Sequence, residues 1–219
     1  DNRDTGWSTK LDQFPVDRGE LIGAASSGDL ETVRALAPYR LEDLADDAAD
    51  LVGALGLDRV HVVGASLGGM VAQLVAIRHP NLVATLTSMM SSTGSSEVGQ
   101  WTPEAFAALM SPLPSDRDGY IAGTVAASRV WSSKRYFDRT SAAALAAASY
   151  DRGLCPDGTD RQLAALLATG SLEDDLAGLR LPVLVIHGTD DTLIAPSGGE
   201  RTAELIPDAE LLIVTDMGH

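Results

Sequence analysis

The sequence predicts an α/β fold with a mostly parallel sheet flanked by helices, and three observations support this prediction. Short β-branched runs alternate with helical patterns towards both ends of the chain. The connections between them are short, which is typical of strand–helix–strand units in a parallel sheet. Residues 95–177, between these two parts, hold several helical patterns and no convincing strand. This middle part is therefore predicted to be a helical insertion that follows a strand of the sheet.

The first strand–helix–strand unit follows an amphipathic helix predicted over residues 41–55. Apolar residues recur there at helical spacing, and five acidic residues fall on the opposite face. A strand is predicted over 59–63, a helix over 67–78 and a second strand over 82–89. The serine- and glycine-rich segment 91–96 is expected to form a loop.

The second unit repeats this order near the end of the chain. It begins with a predicted strand over 183–187 and a polar loop over 188–196. A helix is expected to start at Ser197, with Glu200 three residues later as the second member of a capping box. The last predicted strand covers residues 211–215.

Composition and charge narrow the class of partner. The 219 residues carry 16 basic and 31 acidic side chains, a formal net charge of -15, which disfavours binding to nucleic acid. No apolar stretch is long enough to span a membrane. Cys155 is the only cysteine, so an internal disulfide is excluded and a reducing, cytoplasmic location is expected. The sequence assigns no oligomeric state.

A short motif between the first predicted strand and its helix carries the chemistry. Residues 64–68 read Gly-Ala-Ser-Leu-Gly and match the G-x-S-x-G nucleophile elbow, which requires a strand before it and a helix after it. Ser66 is therefore predicted to be a nucleophile rather than part of an ordinary turn. Gly64 and Gly68 are expected to relieve crowding around the strained serine. The backbone amide of Leu67, at the start of the helix, is predicted to face a developing oxyanion.

A serine hydroxyl needs a base, and the chain has four histidines. His219 follows the last predicted strand through a short loop, where the last member of a catalytic triad in an α/β sheet is expected. His187, which closes the preceding strand, is the next candidate. His61 lies within a predicted strand and His79 at a helix end, so both are expected to be structural.

The group that orients the base is expected in the polar loop after the strand 183–187. Asp190 and Asp191 are adjacent there, and the residues themselves leave both open. One of the two is expected to cap the turn through its own backbone.

These features together resemble the α/β-hydrolase fold family, in its serine esterase branch. The order serine, acid, histidine is the order of that family. The resemblance rests on three segments, which are residues 64–70, residues 181–191 and residues 217–219. In this family the acid usually stands three residues after the glycine of a His-Gly pair, which selects Asp191, although Pro196 lies five residues beyond it and not the usual four.

The resemblance also bears on both ends of the chain. Residues 1–6, Asp-Asn-Arg-Asp-Thr-Gly, are similar to the family's Asp-x-Arg-x-x-Gly turn. The sequence of this segment resembles that of the aclacinomycin methylesterase branch. Family members carry further strands and an oxyanion loop before this turn, and a helix after the histidine. The resemblance therefore implies that the chain is truncated at both ends and that its second oxyanion donor is absent from it.

The same resemblance implies a division into a core and a cap. Residues 1–94 and 178–219 would form the two parts of the α/β-hydrolase core, and residues 95–177 a helical cap, or lid, over the acyl pocket. The implied activity is cleavage of a small-molecule carboxylic ester through an acyl-enzyme, with Ser66, Asp191 and His219 as the triad and no metal or organic cofactor.

Three other functions fit the same residues. A cofactor-free perhydrolase of the haloperoxidase type would use this triad with hydrogen peroxide, and an acyltransferase would use it with a second alcohol. A non-catalytic binding protein of the same fold is a further alternative, although such proteins usually lack one triad member. An aspartate nucleophile, as in the dehalogenases and epoxide hydrolases of this fold, is disfavoured by Ser66.

Overall fold

The computed structural model describes residues 1–219 and contains one parallel sheet. Its four strands lie side by side in the order of the chain: β1 Val60–Ala65, β2 Val83–Met89, β3 Val183–Gly188 and β4 Glu210–Val214. Each neighbouring pair is parallel, so the carboxyl ends of all four strands meet at one edge. The predicted α/β fold with a parallel sheet is confirmed, and the loops that carry the predicted site residues leave from this edge.

Ten helices accompany the sheet. In chain order they are α1 Arg18–Ser27, α2 Leu30–Leu36, α3 Leu41–Ala54, α4 Leu67–Arg78, α5 Pro103–Met110, α6 Arg117–Trp131, α7 Arg139–Gly153, α8 Pro156–Thr169, α9 Glu173–Leu176 and α10 Ser197–Leu205. Five of them, α5 to α9, lie between β2 and β3 and contain no strand among them, as the pattern of residues 95–177 predicted. None of the ten combines the length and the apolar character that crossing a bilayer requires.

The start of α10 differs from its prediction. The helix begins at Ser197, but Pro196 is its N-cap and no side chain caps it. Ser197 Oγ instead accepts a hydrogen bond from the backbone amide of Gly99, at 3.0 Å. The predicted capping box is therefore wrong, because the serine side chain is used to hold a loop of the insertion.

The main core lies between the sheet and the helices α3 and α4. It contains 19 buried apolar residues, and α4 is buried along eight consecutive positions, Gly69 to Ala76. A helix that is enclosed on all sides is expected to be apolar all round rather than amphipathic. Gln73 is the polar exception, and its amide nitrogen donates to Ser88 Oγ at 3.0 Å.

A second, smaller core joins the insertion to the start of the chain. Leu21 and Ala24 of α1 and Val33 of α2 pack against Ala164 and Ala168 of α8. The helices α1 and α2 were not predicted from the sequence. The insertion thus packs against the N-terminal helices, and its assignment as a separate cap remains a prediction.

A buried ion pair reinforces the same junction. Arg161 of α8 and Asp4 are both fully buried, and the guanidinium donates to both oxygens of the carboxylate, at 2.8 and 2.9 Å. The hydroxyl of Tyr39 donates to the same carboxylate at 2.8 Å. Burial by itself would raise the pKa of Asp4, but the bonds from Arg161, from the Leu11 amide and from Tyr39 lower it. The segment that resembled a family turn is therefore anchored to the insertion.

Candidate active site

Ser66 occupies the turn between β1 and α4 in a strained conformation. Its φ of 56° and ψ of -127° lie outside the regions that residues with a side chain normally adopt. The turn is tight, because a Cβ on Gly64 would collide with the carbonyl oxygen of Gly68. The predicted role of Gly64 therefore has a steric basis.

The role predicted for Gly68 is not seen. A Cβ at that position would meet nothing within 4 Å. The second crowded glycine is Gly69, where a Cβ would lie 2.5 Å from Ser91 Cβ. The close approach is thus between α4 and the loop after β2, one residue later than the motif suggests.

His219 lies between the other two predicted site residues. Its Nδ1 is 2.8 Å from Asp191 Oδ2, and its Nε2 is 2.8 Å from Ser66 Oγ. A carboxylate only accepts, so Nδ1–H donates to Asp191 and Nε2 is left to accept from the hydroxyl of Ser66. The structure therefore brings together side chains that are 153 and 28 residues apart in the chain.

The loop that carries His219 is held by the insertion. The backbone amide of His219 donates to the carbonyl of Trp131, at the end of α6, at 2.8 Å. A Cβ on Gly218 would collide with the backbone of Ser132, so this loop and the end of α6 are in direct contact. The amide of Asp190 donates to the carbonyl of Met217 at 2.9 Å and braces the loop from the other side.

Asp191 is 4% exposed, and every side of its carboxylate is used. Oδ1 accepts from the backbone amides of Leu193 and Ile194, at 2.9 and 2.8 Å, while Oδ2 faces His219. Burial would raise the pKa of Asp191, but hydrogen bonds from His187 and His219, the charge of His219 and the Ile194 amide lower it to about 2. The carboxylate is therefore fixed in position and ionised.

His187, the alternative base, lies behind the acid. Its imidazole is fully buried, with Nε2 2.8 Å from the carbonyl oxygen of Ile194 and 3.3 Å from Asp191 Oδ2. Both partners only accept, so Nε2 carries the proton, and Nδ1 has no partner and packs against Gly199. The sequence marks His187 as a candidate base, but no pattern in the chain predicts that its ring turns towards the carboxylate of Asp191.

The other candidates lie away from the three residues. Asp190 accepts from Thr189 Oγ1 at 3.3 Å, and it is the neighbouring Asp191 that contacts His219. The remaining histidines make contacts elsewhere: His61 Nδ1 is 2.8 Å from Thr85 Oγ1, and His79 Nε2 is 2.7 Å from Asp46 Oδ1. No group of three or more His, Cys, Asp or Glu side chains is placed to hold a metal ion.

A cavity of about 620 Å³ opens beside His219. Its walls come from α6, from α7 and from the segment that joins these two helices. Trp131, at the end of α6, is one of the residues that line it. The histidine is thus in contact with Ser66 on one side and with a space large enough for a small organic group on the other.

Comparison with known proteins places these features in a family. Residues 20–219 match the model of a family described as the alpha/beta hydrolase fold. RutD of Caulobacter sp. (strain K31), which is named for carbamate hydrolysis, is 31% identical over 98% of this chain and 79% of its own length. Rhodomycin D methylesterase DauP of Streptomyces sp. (strain C5) is 24% identical, with 100% of this chain and 73% of DauP covered.

A solved structure agrees with these relatives. Est816, described as an N-acyl homoserine lactone degrading enzyme, is 26% identical and superposes with a TM-score of 0.70, covering 100% of this chain and 74% of its own. The relatives are hydrolases by name, and the predicted resemblance is confirmed. The chain belongs to the α/β-hydrolase fold family.

Proposed function

We propose that this protein is a serine hydrolase that cleaves carboxylic esters through an acyl-enzyme. In this proposal Ser66 is the nucleophile, His219 the general base and Asp191 the residue that orients the base. The observation that carries the proposal is the position of His219, whose two ring nitrogens each lie 2.8 Å from one of the other two side chains.

The first half of the reaction forms the acyl-enzyme. Ser66 Oγ attacks the ester carbonyl while its proton moves to Nε2 of His219, which is free to accept because Nδ1–H is bound to Asp191. The ionised Asp191 stabilises the imidazolium that results. The charge that develops on the carbonyl oxygen is stabilised by the backbone amide of Leu67, the first residue of α4. One such donor typically contributes about 3 kcal/mol to the transition state.

The first half ends when His219 gives that proton to the alcohol oxygen as its bond to the acyl carbon breaks, so that the alcohol leaves and the acyl-enzyme remains. In the second half His219 takes a proton from the water that attacks the acyl carbon, and gives it to Ser66 Oγ as the bond from Oγ to the acyl carbon breaks and the acid is released. Within the protein, Ser66 Oγ and Nε2 of His219 are the groups that gain and lose a proton during this cycle. Leu67 is the one oxyanion donor that we assign to this chain.

Ester cleavage is proposed over other acyl chemistry because two relatives are named for it. DauP is named as a methylesterase, and Est816 is described as degrading a lactone, which is a cyclic ester. Carbamate hydrolysis is a second candidate, since RutD is named for it and is 31% identical. Comparing turnover of phenyl acetate with that of phenyl carbamate separates the two reactions.

We also propose that residues 95–177 act as the cap over the substrate. The support for this is that five helices without a strand lie between β2 and β3, and that α6 and α7 line the cavity beside His219. The remaining residues, 1–94 and 178–219, would form the core in this division.

The test combines turnover with covalent labelling. Wild-type protein is expected to hydrolyse p-nitrophenyl acetate and to react with a fluorophosphonate, with the adduct located on the peptide that contains Ser66. The variant Ser66→Ala is expected to lose both properties. Ser96→Ala is the matched control, because Ser96 is exposed and its hydroxyl makes no hydrogen bond in the protein. Turnover of Ser66→Ala at the wild-type rate would eliminate the proposal.

A further inference from the structure

The cavity beside His219 is lined by hydroxyl-bearing and apolar side chains. Seven of its 14 lining residues carry a hydroxyl group, and these stand among aromatic side chains such as Trp131 and Phe137. An apolar group bound here would leave each hydroxyl that lacks a partner in the protein without a hydrogen bond when water is displaced.

Several of these hydroxyls have no partner in the protein. Thr124 Oγ1 is buried and makes no hydrogen bond. The hydroxyls of Ser132, Tyr136 and Ser149 also form no hydrogen bond with other protein atoms. The other three are used within the protein: Ser128 donates to the carbonyl of Val125, Ser133 accepts from the amide of Tyr136, and Ser141 donates to Asp138. Thr124 Oγ1 lies too deep for a bound group to reach, so three donors, those of Ser132, Tyr136 and Ser149, remain available along the walls of one cavity.

The charge of the lining restricts what that group can be. No lysine or arginine lines the cavity, and Asp138 is its one carboxylate. The oxygens of Asp138 accept from the hydroxyl of Ser141 and from the amides of Thr140 and Ser141 at the start of α7, which fixes the carboxylate and lowers its pKa. A carboxylate on the ligand would meet no cation here and one fixed negative charge, in a chain of net charge -15.

The position of the cavity indicates which part of the ester, the acyl group or the alcohol, would lie in it. Of the three proposed catalytic side chains, His219 lines it and Ser66 and Asp191 do not, and Leu67, the proposed oxyanion donor, does not line it either. In the proposed reaction, Ser66 and Leu67 hold the acyl carbon and its oxygen, and His219 gives a proton to the leaving alcohol. A group bound in this cavity is therefore placed on the leaving-group side of the ester.

We infer that this cavity is the leaving-group subsite, and that it selects esters of neutral, hydrogen-bonding alcohols over esters whose alcohol carries a carboxylate. The inference rests on the proposed function for its chemistry, but the preference for a neutral group is a property of the cavity alone.

The experiment uses three aryl acetates that share one acyl group. These are 4-acetoxybenzamide, 4-acetoxybenzoate and phenyl acetate, of which the first two are nearly isosteric and differ in charge. The expected kcat/KM for the benzamide exceeds that for the benzoate by at least ~10-fold, because only the neutral group is accepted without an uncompensated charge. Equal values for the two would overturn the inference.

Two variants test the hydroxyls. Tyr136→Phe keeps the shape of the side chain and removes its hydroxyl, and Ser149→Ala removes a second exposed hydroxyl from the lining. Each is expected to lower kcat/KM for 4-acetoxybenzamide roughly 3- to 10-fold relative to phenyl acetate, the effect of one neutral hydrogen bond. The matched control is Ser96→Ala, because Ser96 is exposed and does not line the cavity. An unchanged ratio in both variants would count against the inference.

Binding to Ser66→Ala separates this inference from the proposed function. Titration calorimetry with 4-hydroxybenzamide is expected to give an affinity at least ~10-fold higher than with 4-hydroxybenzoate, whether or not the protein hydrolyses esters. Loss of turnover and of fluorophosphonate labelling in the wild type, with this binding preference intact, would reject the ester hydrolase and keep the cavity's specificity. Equal binding of the two phenols would reject the specificity.

Discussion

Replacing Asp191 by asparagine tests the arrangement around His219 most directly. Oδ1 of Asp191 accepts from the backbone amides of Leu193 and Ile194, so the single amide oxygen of an asparagine would occupy that position. The new NH₂ group would then face Nδ1 of His219, which now donates to Asp191 Oδ2 at 2.8 Å. Two donors cannot pair, so the proton of His219 would move to Nε2.

The consequence is a histidine with the wrong nitrogen protonated. Nε2 lies 2.8 Å from Ser66 Oγ and, once protonated, cannot take the proton of the hydroxyl. We expect kcat/KM for p-nitrophenyl acetate to fall by about 10⁴-fold, or roughly 5 kcal/mol in transition-state stabilisation, as is typical when a triad loses its orienting charge. Far-UV circular dichroism should show that the variant is folded.

The neighbouring aspartate supplies a matched control. Asp190→Asn makes the same chemical change one residue away, at a side chain whose contact is with Thr189 Oγ1. It is expected to keep activity within about 2-fold of the wild type. If Asp190→Asn lost activity and Asp191→Asn kept more than about a tenth of it, the assignment of the acid and the argument from tautomers would both be refuted.

Three further predictions concern stability. The folded-state pKa of Asp191, about 2 against an ordinary 3.8, means that this carboxylate stabilises the fold above about pH 4 and that the contribution is lost as the pH falls towards 2. The difference between wild type and Asp191→Asn in free energy of unfolding, from urea titrations at several pH values, should shrink by about 2 kcal/mol over that range. Asp4→Asn should lower the free energy of unfolding in urea by about 3–5 kcal/mol at pH 7, because the buried Arg161 would lose its buried ionised partner and keep only the longer contact with the exposed Asp12, at 3.2 Å. Gly64→Ala should cost roughly 1–3 kcal/mol in the same assay, and should reduce ester turnover, because its Cβ would collide with the carbonyl of Gly68 and displace the turn.

Two variants serve as controls for these changes. Asp151→Asn removes the partner of Arg117 in an exposed ion pair and is expected to shift the urea midpoint far less than Asp4→Asn. Gly53→Ala, within α3, adds a Cβ that meets nothing within 4 Å and should stabilise the protein slightly. If Asp151→Asn destabilised the protein as much as Asp4→Asn, burial of the ion pair would not explain the loss. If Gly53→Ala destabilised it as much as Gly64→Ala, a collision of the new Cβ would not explain the loss.

The sheet could be predicted from the sequence because its elements are locally marked. The four observed strands begin and end within two residues of the predicted ones, and α4 has the predicted bounds Leu67–Arg78. For β1 and α4, the β-branched run, the glycine-flanked serine and the long apolar run that follow one another in the chain indicate where the strand ends and the helix begins. Ser66, His219 and the pair Asp190 and Asp191 could be proposed as site residues for the same reason, since each lies in a loop that follows a strand.

The parts that could not be predicted depend on contacts between distant segments. Nothing near Asp4 or Arg161 in the chain indicates that the two form a buried pair 157 residues apart. The choice between Asp190 and Asp191 needed either the family's spacing or the direction of the side chain, since local sequence treats the two alike. The crowding at Gly69 likewise depends on a loop contact with Ser91, which no motif encodes.

The hydrogen bond from the His219 amide to the carbonyl of Trp131 has a consequence for exchanging parts between relatives. The end of α6 is at once a wall of the cavity and a support for the proposed base. An insertion transplanted from another hydrolase to change specificity would therefore also move the histidine, unless the backbone around Trp131 and Ser132 were retained. A change in the proposed cap is therefore expected to alter the position of the proposed base as well as the shape of the cavity.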